Sequence, residues 1–291
     1  MRSLKLSFTI VLISLSGMSM AVDETTDFQS DISQIPFNAT DYVMGAGHNV
    51  IFDNGPIINS SGSGVGGADE SILQDISLGM STLGIGHFPG LNLRVSDEFI
   101  ISENNTTIST IQFFAYQTNE TASTITAINV RIWDGPPGQT GSQVVFGDTS
   151  TNRIISTQYS NINRLVELDS GLSNDRQIAV SEVLIDQEFN IGTYWLDWQS
   201  SGSGTSGPWV PPVSIVGVTS TGNALQSADD GMTFQPVLDS GTNTPLGLPF
   251  VITGTLPPPI VVPTLGVNGW LLLSLIILLA TRAFRRNCHS Q

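Results

Sequence analysis

The sequence predicts an all-β protein: an antiparallel β-sandwich, jelly-roll-like, made with an N-terminal signal peptide and a C-terminal single transmembrane helix. Three observations carry this. Short β-branched or aromatic runs recur roughly every 10 residues, closed by Gly, Pro, Asn or Asp. No convincing helical period stands between them. Each end of the chain carries a distinct apolar run beside basic residues.

The elements follow in order. "MRSLKLSFTIVLISLSGMSMA" has Arg2 and Lys5, an apolar run from Leu6 to Leu15, and small residues Ser19 and Ala21 at −3 and −1 of a cut after Ala21. That is the layout of a secretory signal peptide over residues 1–21. The competing reading is an uncleaved anchor, for which the run is short. Residues 22–70 are acidic and Gly/Ser/Asn-rich, and "NSSGSGVGG" reads as flexible. They are expected to form a loose lead-in, with "NVIFD" the one segment that could be a strand.

The sandwich is expected over residues 71–255. Its strands are "SDEFIIS", "TISTIQFFAYQT", "ITAINVRIWDG", "QVVFGD", "NRIIST", "NRLVELD", "QIAVSEVLID", "FNIGTYWLDWQ" and, last, "LPFVITGTL". Within "TAINVRIWD" the alternation puts Ile128, Val130 and Ile132 on one face and Trp133 on the other. "DGPPG" then turns the chain. "ESILQDISLGM" is the one helix candidate. Residues 256–263 are proline-rich, hence stiff and extended.

The C-terminus reads "VPTLGVNGWLLLSLIILLATRAFRR". Residues 267–284 are marginal against the roughly 20 apolar residues that span a bilayer. Arg282, Arg285 and Arg286 follow as a stop-transfer cluster, which favours the cytoplasmic side. With a cleaved leader the body then lies outside.

This tail over residues 262–291, with Val262, Pro263, Thr264 and Leu265, then Gly269, a short span and arginines, resembles the C-terminal sorting domain of exosortase-processed surface proteins, the IPTL/VPTL variety related to PEP-CTERM signals. That family continues Ser-Glu-Trp-Gly, where this chain holds Gly266, Val267, Asn268 and Gly269. The resemblance implies a Gram-negative bacterium with an exopolysaccharide system. It also implies transient retention in the inner membrane, cleavage by an exosortase-type enzyme, and release to the cell surface or extracellular matrix. The body resembles uncharacterised sandwich domains of such proteins, through "RVSDEF", "FFAYQT", "VRIWDGPPG" and "PFVITG". No activity comes with that resemblance.

Composition narrows function. All 25 acidic residues lie between Asp23 and Asp239, and outside the two ends the only basic residues are Arg94, Arg131, Arg153, Arg164 and Arg176. The body therefore carries 5 − 25 = −20 and has no lysine, which opposes nucleic acid. Simple solubility, or a saline habitat, explains the charge as well as any site does. The single cysteine, Cys288, excludes a disulfide.

Chemistry is sparse. The body holds only His48 and His87, and no serine sits in a G-x-S-x-G elbow, so neither a triad nor a zinc site is expected. Asp186 with Glu188, and Asp197, could serve a glycosidase pair, but solvent-facing strand positions are the simpler account of them. A structural calcium in the loops at 169–177 and 227–232 is the one metal the acidity suggests, without a motif to fix its ligands. Trp195, Trp198 and Trp209 surround a Gly/Ser loop and could form a glycan platform. Trp195 and Trp198 differ by three, so a regular strand sends them to opposite faces, and large aromatics in sandwiches are usually core.

The expectation is thus a secreted or cell-surface, non-catalytic matrix component, without cofactor, whose partners are the processing enzyme, the inner membrane and a polysaccharide. The alternatives are a carboxylate-dependent glycan hydrolase and a permanently anchored surface protein.

Overall fold

A computed structural model describes residues 49–120, 122–258, 275–279 and 282. The leader with Ser19 and Ala21, the motif at 262–265, Arg285, Arg286 and most of the predicted span lie outside the described residues. The chain divides into two compact units, Met1–Pro257 and Pro258–Gln291. In the second, residues 275–279 and 282 are helical. Among the described residues no helix is long and apolar enough to cross a membrane.

The described part of the first unit is mostly β. Its strands are β1 (Asn49–Asp53), β2 (Asp69–Leu73), β3 (Ile85–Gly86), β4 (Arg94–Ile101), β5 (Thr106–Ala115), β6 (Ile125–Trp133), β7 (Val144–Gly147), β8 (Ile154–Val166), β9 (Gln177–Phe189), β10 (Gly192–Gly202), β11 (Trp209–Val210), β12 (Leu225–Ser227), β13 (Gln235–Pro236) and β14 (Phe250–Thr255). One six-stranded sheet runs β1-β14-β5-β9-β8-β2 and another runs β13-β12-β4-β10-β6-β7, while β11 and β3 form a small third pair. The described pairings between strands are antiparallel except that of β2 with β8.

Alternation explains the packing. Ile128, Val130 and Ile132 of β6 are buried on one face, as are Val95, Phe99 and Ile101 of β4 and Leu196 and Trp198 of β10. They join Ile111, Phe113, Val183, Phe250 and Ile252 of the first sheet in one core. Trp198 ties the two sheets together, its ring 5.0 Å from Phe113 and 6.0 Å from Phe250. The sheets therefore face each other as a sandwich.

Three expectations are corrected. "NVIFD" is a strand, β1, which pairs with β14 from Asn49 onward, but the Gly/Ser stretch after it is held rather than loose, by Asp69, which accepts from Ser61 Oγ and the Gly62 amide. The helix candidate is β2 followed by a single helical turn, Asp75–Leu78. Ile72 and Leu73 are β-formers with a neighbour, β8, to pair against, and pairing overrides weak helical propensity. "NRIIST" and "NRLVELD" belong to one irregular strand, β8, whose kink at Asn161 (φ 62°) keeps both halves beside β9 or β2.

Turns use the residues that tolerate left-handed backbone. Seven described non-glycine residues have positive φ, and all seven are Asn or Asp. Their short side chains make that conformation affordable.

Candidate functional site

Strand β10 sits between β4 and β6, and its two faces differ in kind. Leu196 and Trp198 point into the core. Trp195, Asp197 and Gln199 point to the other side. Asp197 is in register with Ser96 of β4 and Arg131 of β6, and Trp195 with Glu98 and Trp133. Directly opposed residues share a face. The outer face of these three strands thus gathers Arg94, Ser96, Glu98, Asn129, Arg131, Trp133, Trp195, Asp197 and Gln199.

Asp197 is the hub and is fully buried. Arg94 Nε donates to its Oδ1 at 2.7 Å. Arg131 donates through Nε at 2.7 Å and lies 2.6 Å away through Nη2, both to Oδ2. Trp133 Nε1 donates to the same oxygen at 3.1 Å, and the Arg131 guanidinium stands 4.9 Å over the Trp133 ring. Arg94 Nη1 donates to Asn129 Oδ1 at 2.5 Å. Charge-assisted bonds of this sort are the strong ones.

A turn closes over the arginines. Asp230 Oδ1 comes within 3.7 Å of Arg94 Nη1, and its side chain is 49% exposed. Arg131 Nη2 donates to the Gly231 carbonyl at 3.4 Å. The turn is knitted by Asp229, which accepts from Ser227 Oγ, the Met232 and Thr233 amides and Thr233 Oγ1. Partial burial pushes the Asp229 carboxyl up, but the Thr233, Ser227 and Met232 donors outweigh this and hold it at about 2. Asp230 and Gly231 are both left-handed, at φ 58° and 86°. A Cβ at position 231 would fall 1.9 Å from Arg131 Nη2, so glycine is what lets the backbone rest on that guanidinium.

Two polar atoms of this face are buried without a hydrogen-bond partner among the described residues: Arg94 Nη2 and Ser96 Oγ. The two guanidinium groups are matched by acids: Asp197 between them, Asp230 beside Arg94, and Glu98 on the same face opposite Trp195.

The other carboxylates are committed to local structure. Asp97, on the inner side of β4, accepts from Asn54 Nδ2 and the Leu248 amide at 2.8 Å each, and from the Glu98 amide at 2.9 Å. Burial pushes its carboxyl up to about 7 against these donors. Glu70, also buried, accepts from Ser63, Ser170 and the Gly171 amide.

The residues singled out in the sequence are scattered. Trp198 is core and Trp195 lies on the opposite face, as their spacing requires, but Trp195 is only 6% exposed. Trp209 belongs to the β11-β3 pair, its ring edge-on to Phe88 at 5.8 Å and its Nε1 donating to Ser206 Oγ. The three tryptophans share no surface, so no glycan platform is built from them. Asp186 and Glu188 are exposed on β9, and Asp197 lies on β10 in the other sheet. His87 is buried, which pushes its imidazole down to about 4; the Ile85 carbonyl opposes this weakly and the Arg94 charge adds to it. His87 is therefore neutral at physiological pH.

In the suggested calcium loops, Asp229 faces amides and hydroxyls, and Asp175 faces Ser173 Oγ and Arg176. No group of three or more His, Cys, Asp or Glu side chains gathers among the described residues.

Arg94, Arg131 and Trp133 are not among the candidate site residues of the sequence, and Asp230 enters only within the calcium loop at 227–232. The available signal was charge on strand interiors: "RVSDEF" and "NVRIWD" each place an arginine amid apolar alternation, in a body with five basic residues and no lysine.

No family model, curated protein or solved structure matches this chain.

Proposed function

We propose that this chain is an exported surface or matrix protein whose sandwich serves by binding or by structure rather than by catalysis. The observation that supports this most is the engagement of its deeply buried acids. Asp197 is spanned by two arginines and an indole, and Asp97 and Glu70 by amides, an amide side chain and hydroxyls. A glycosidase needs two carboxyl groups facing one sugar across a groove, and acids held this way are occupied in fixing strands.

The strand order supports a jelly-roll-like winding. With β2, β8, β12 and β13 set aside, the pairs nest as β1 with β14, β4 with β10, β5 with β9 and β6 with β7, like one long hairpin rolled into two sheets. Such frames commonly present binding faces and loop ends, and fold alone assigns no chemistry.

Delivery rests on the two ends. The leader sends the body across the membrane, the short apolar run with Arg282, Arg285 and Arg286 holds it there, and an exosortase-type enzyme reads Val262, Pro263, Thr264 and Leu265 before release. Intact mass and C-terminal peptide mapping of protein recovered from cells and medium test this. A mature chain that begins after Ala21 and ends near residues 262–265 is the expected result. A chain still ending at Gln291 leaves a single-span anchored protein and defeats the sorting reading.

A further inference from the structure

We propose that Asn54–Gly55 is a self-modification site: the chain converts Asn54 through a cyclic imide to an aspartyl or isoaspartyl residue, with Asp53 as the base and Asp97 as the acid. This lies beyond the proposed function and does not rest on it.

Asn54 directly follows β1, and the reacting atoms on either side of its carboxamide carbon each meet an acid. The nucleophile is the Gly55 amide nitrogen, which the covalent chain itself places beside Asn54 Cγ. Glycine has no Cβ to obstruct that approach, and Gly55 stands at φ 84°. The Asp53 carboxylate accepts a hydrogen bond from this same Gly55 N–H, and burial raises its carboxyl against that bond. A raised carboxyl is the stronger base, and it is aimed at the proton that has to leave. The leaving group is the Asn54 side-chain nitrogen, whose Nδ2 lies 2.8 Å from Asp97 Oδ2. Burial pushes the Asp97 carboxyl up to about 7, against the Leu248 and Glu98 amides and Asn54, with the Glu98 charge raising it further. Near neutral pH it therefore has a proton to give, and a general acid serves best when its pKa lies near the working pH.

The step balances with water as the one co-reactant. The Gly55 nitrogen gives its proton to Asp53 and bonds to Asn54 Cγ. The Cγ–Nδ2 bond breaks, Nδ2 takes a proton from Asp97, and ammonia leaves. Asp53 and Asp97 then return to their starting states by proton exchange with solvent. Water adds to one carbonyl of the imide ring and opens it, giving an aspartyl or an isoaspartyl residue. Asp53 is exposed and Asn54 and Gly55 are half-buried, so water reaches the ring. The consequence follows from the same contacts. Asn54 Nδ2 also donates to the Leu248 carbonyl at 2.8 Å, so one carboxamide joins the end of β1 to β4 and to the approach to β14. Conversion sets a new carboxyl group against two acceptors, Asp97 Oδ2 and the Leu248 carbonyl, and takes their shared donor away. Because β1 is the edge strand of its sheet, the modification loosens that edge as the protein ages.

The test ages the full-length chain in mild detergent at neutral pH, once folded and once unfolded in urea, and reads Asn54 by mass spectrometry of the peptide that contains it. The folded chain is expected to convert at least about tenfold faster than the unfolded one, in which Asp97 no longer reaches Asn54. Asp53→Asn removes the base at an exposed position, so this variant keeps the fold, and it is expected to slow the folded rate by about tenfold. Asp97→Asn cannot supply the proton and is expected to slow it likewise, with circular dichroism checking that the variant is folded. Asn54→Asp, made directly, is expected to reproduce the lower thermal stability of the aged protein. An Asn54 that stays intact in the folded chain while the unfolded chain converts overturns the proposal, because the fold then protects the pair. Equal rates in the two states, or a folded rate that Asp53→Asn leaves unchanged, overturn it too, because the chemistry is then that of any Asn-Gly pair. None of these outcomes bears on C-terminal processing, which the mature ends of the chain decide separately.

Discussion

Asp97 and Asp197 are both buried, on neighbouring strands one residue out of register, yet they stand on opposite faces of the same strand pair. Asp197, on the outer face, meets two cations. Asp97, on the inner side, meets only neutral donors: an amide side chain and two backbone N–H groups. The difference shows how one strand pair spends two charges. Outside, cation and anion cross-link three strands far apart in sequence. Inside, a carboxyl group anchors the approach to β14 and tolerates being half-protonated.

The sharpest way to break the comparison is to delete the outer anion. Asp197→Ala leaves two guanidinium groups facing each other without their shared carboxylate. Removing one partner of a buried ion network costs about 3–5 kcal/mol, so a large drop in the denaturant midpoint is expected. A loss below 1 kcal/mol would mean that the network is strained or redundant.

The inner acid is read by pH. Its folded carboxyl titrates at about 7, against about 3.9 in an unfolded chain. Between those values the folded protein holds a proton that the unfolded chain has released. The stabilisation from the neutral form is complete below pH 4 and is lost as pH rises through 7. Asp97→Asn should flatten that decline, by roughly 2–4 kcal/mol across the window at about 1.4 kcal/mol per unit. The measurement is chemical denaturation from pH 4 to 8. Asp229 and Asp239 act with the opposite sign at lower pH. Burial pushes each carboxyl up, but donors from the Thr233 and Thr242 turns outweigh it and hold both low. Their contribution is present above about pH 4 and is lost as acid protonates them.

A smaller effect is expected at the turn. Gly231→Ala forces a Cβ against Arg131 and onto a backbone at φ 86°, and a loss of about 1–2 kcal/mol follows from strain in the left-handed region. Smallest of all are Asp186→Asn and Glu188→Gln. These exposed changes should move stability by less than about 0.5 kcal/mol. Any glycan-cleaving activity that they abolished would revive the hydrolase alternative.

Local physics made much of the sandwich legible. Alternation assigned the buried face of β6, Ile128, Val130 and Ile132, because a strand's side chains have a period of two, and a half-buried sheet must segregate them. The same rule separated Trp195 from Trp198. It could not report that Trp195 is covered, since what lies over an outer face comes from elsewhere in the chain. Nor could it find β2, whose "ESIL" becomes a strand only because β8 lies beside it in parallel, with Asp69 opposite Ile162 far along the chain. The irregular stretch from 211 to 248 was also hidden: Val213, Ala224, Leu246 and Leu248 are buried residues without periodicity. They are held by single long-range bonds such as Val213 N to the Gly247 carbonyl.

By itself, then, the sequence determined the β class, most strand positions, the inward face of β6 and the acidity of the body, because each depends on composition or on neighbours within a few residues. Only the tertiary structure decided that Arg94, Arg131 and Asp197 meet. They are separated by tens of residues to more than a hundred, and their meeting depends on β10 lying between β4 and β6 in one particular register. A slip of a single residue would send all three to the other face, so the site is a property of pairing and not of any motif.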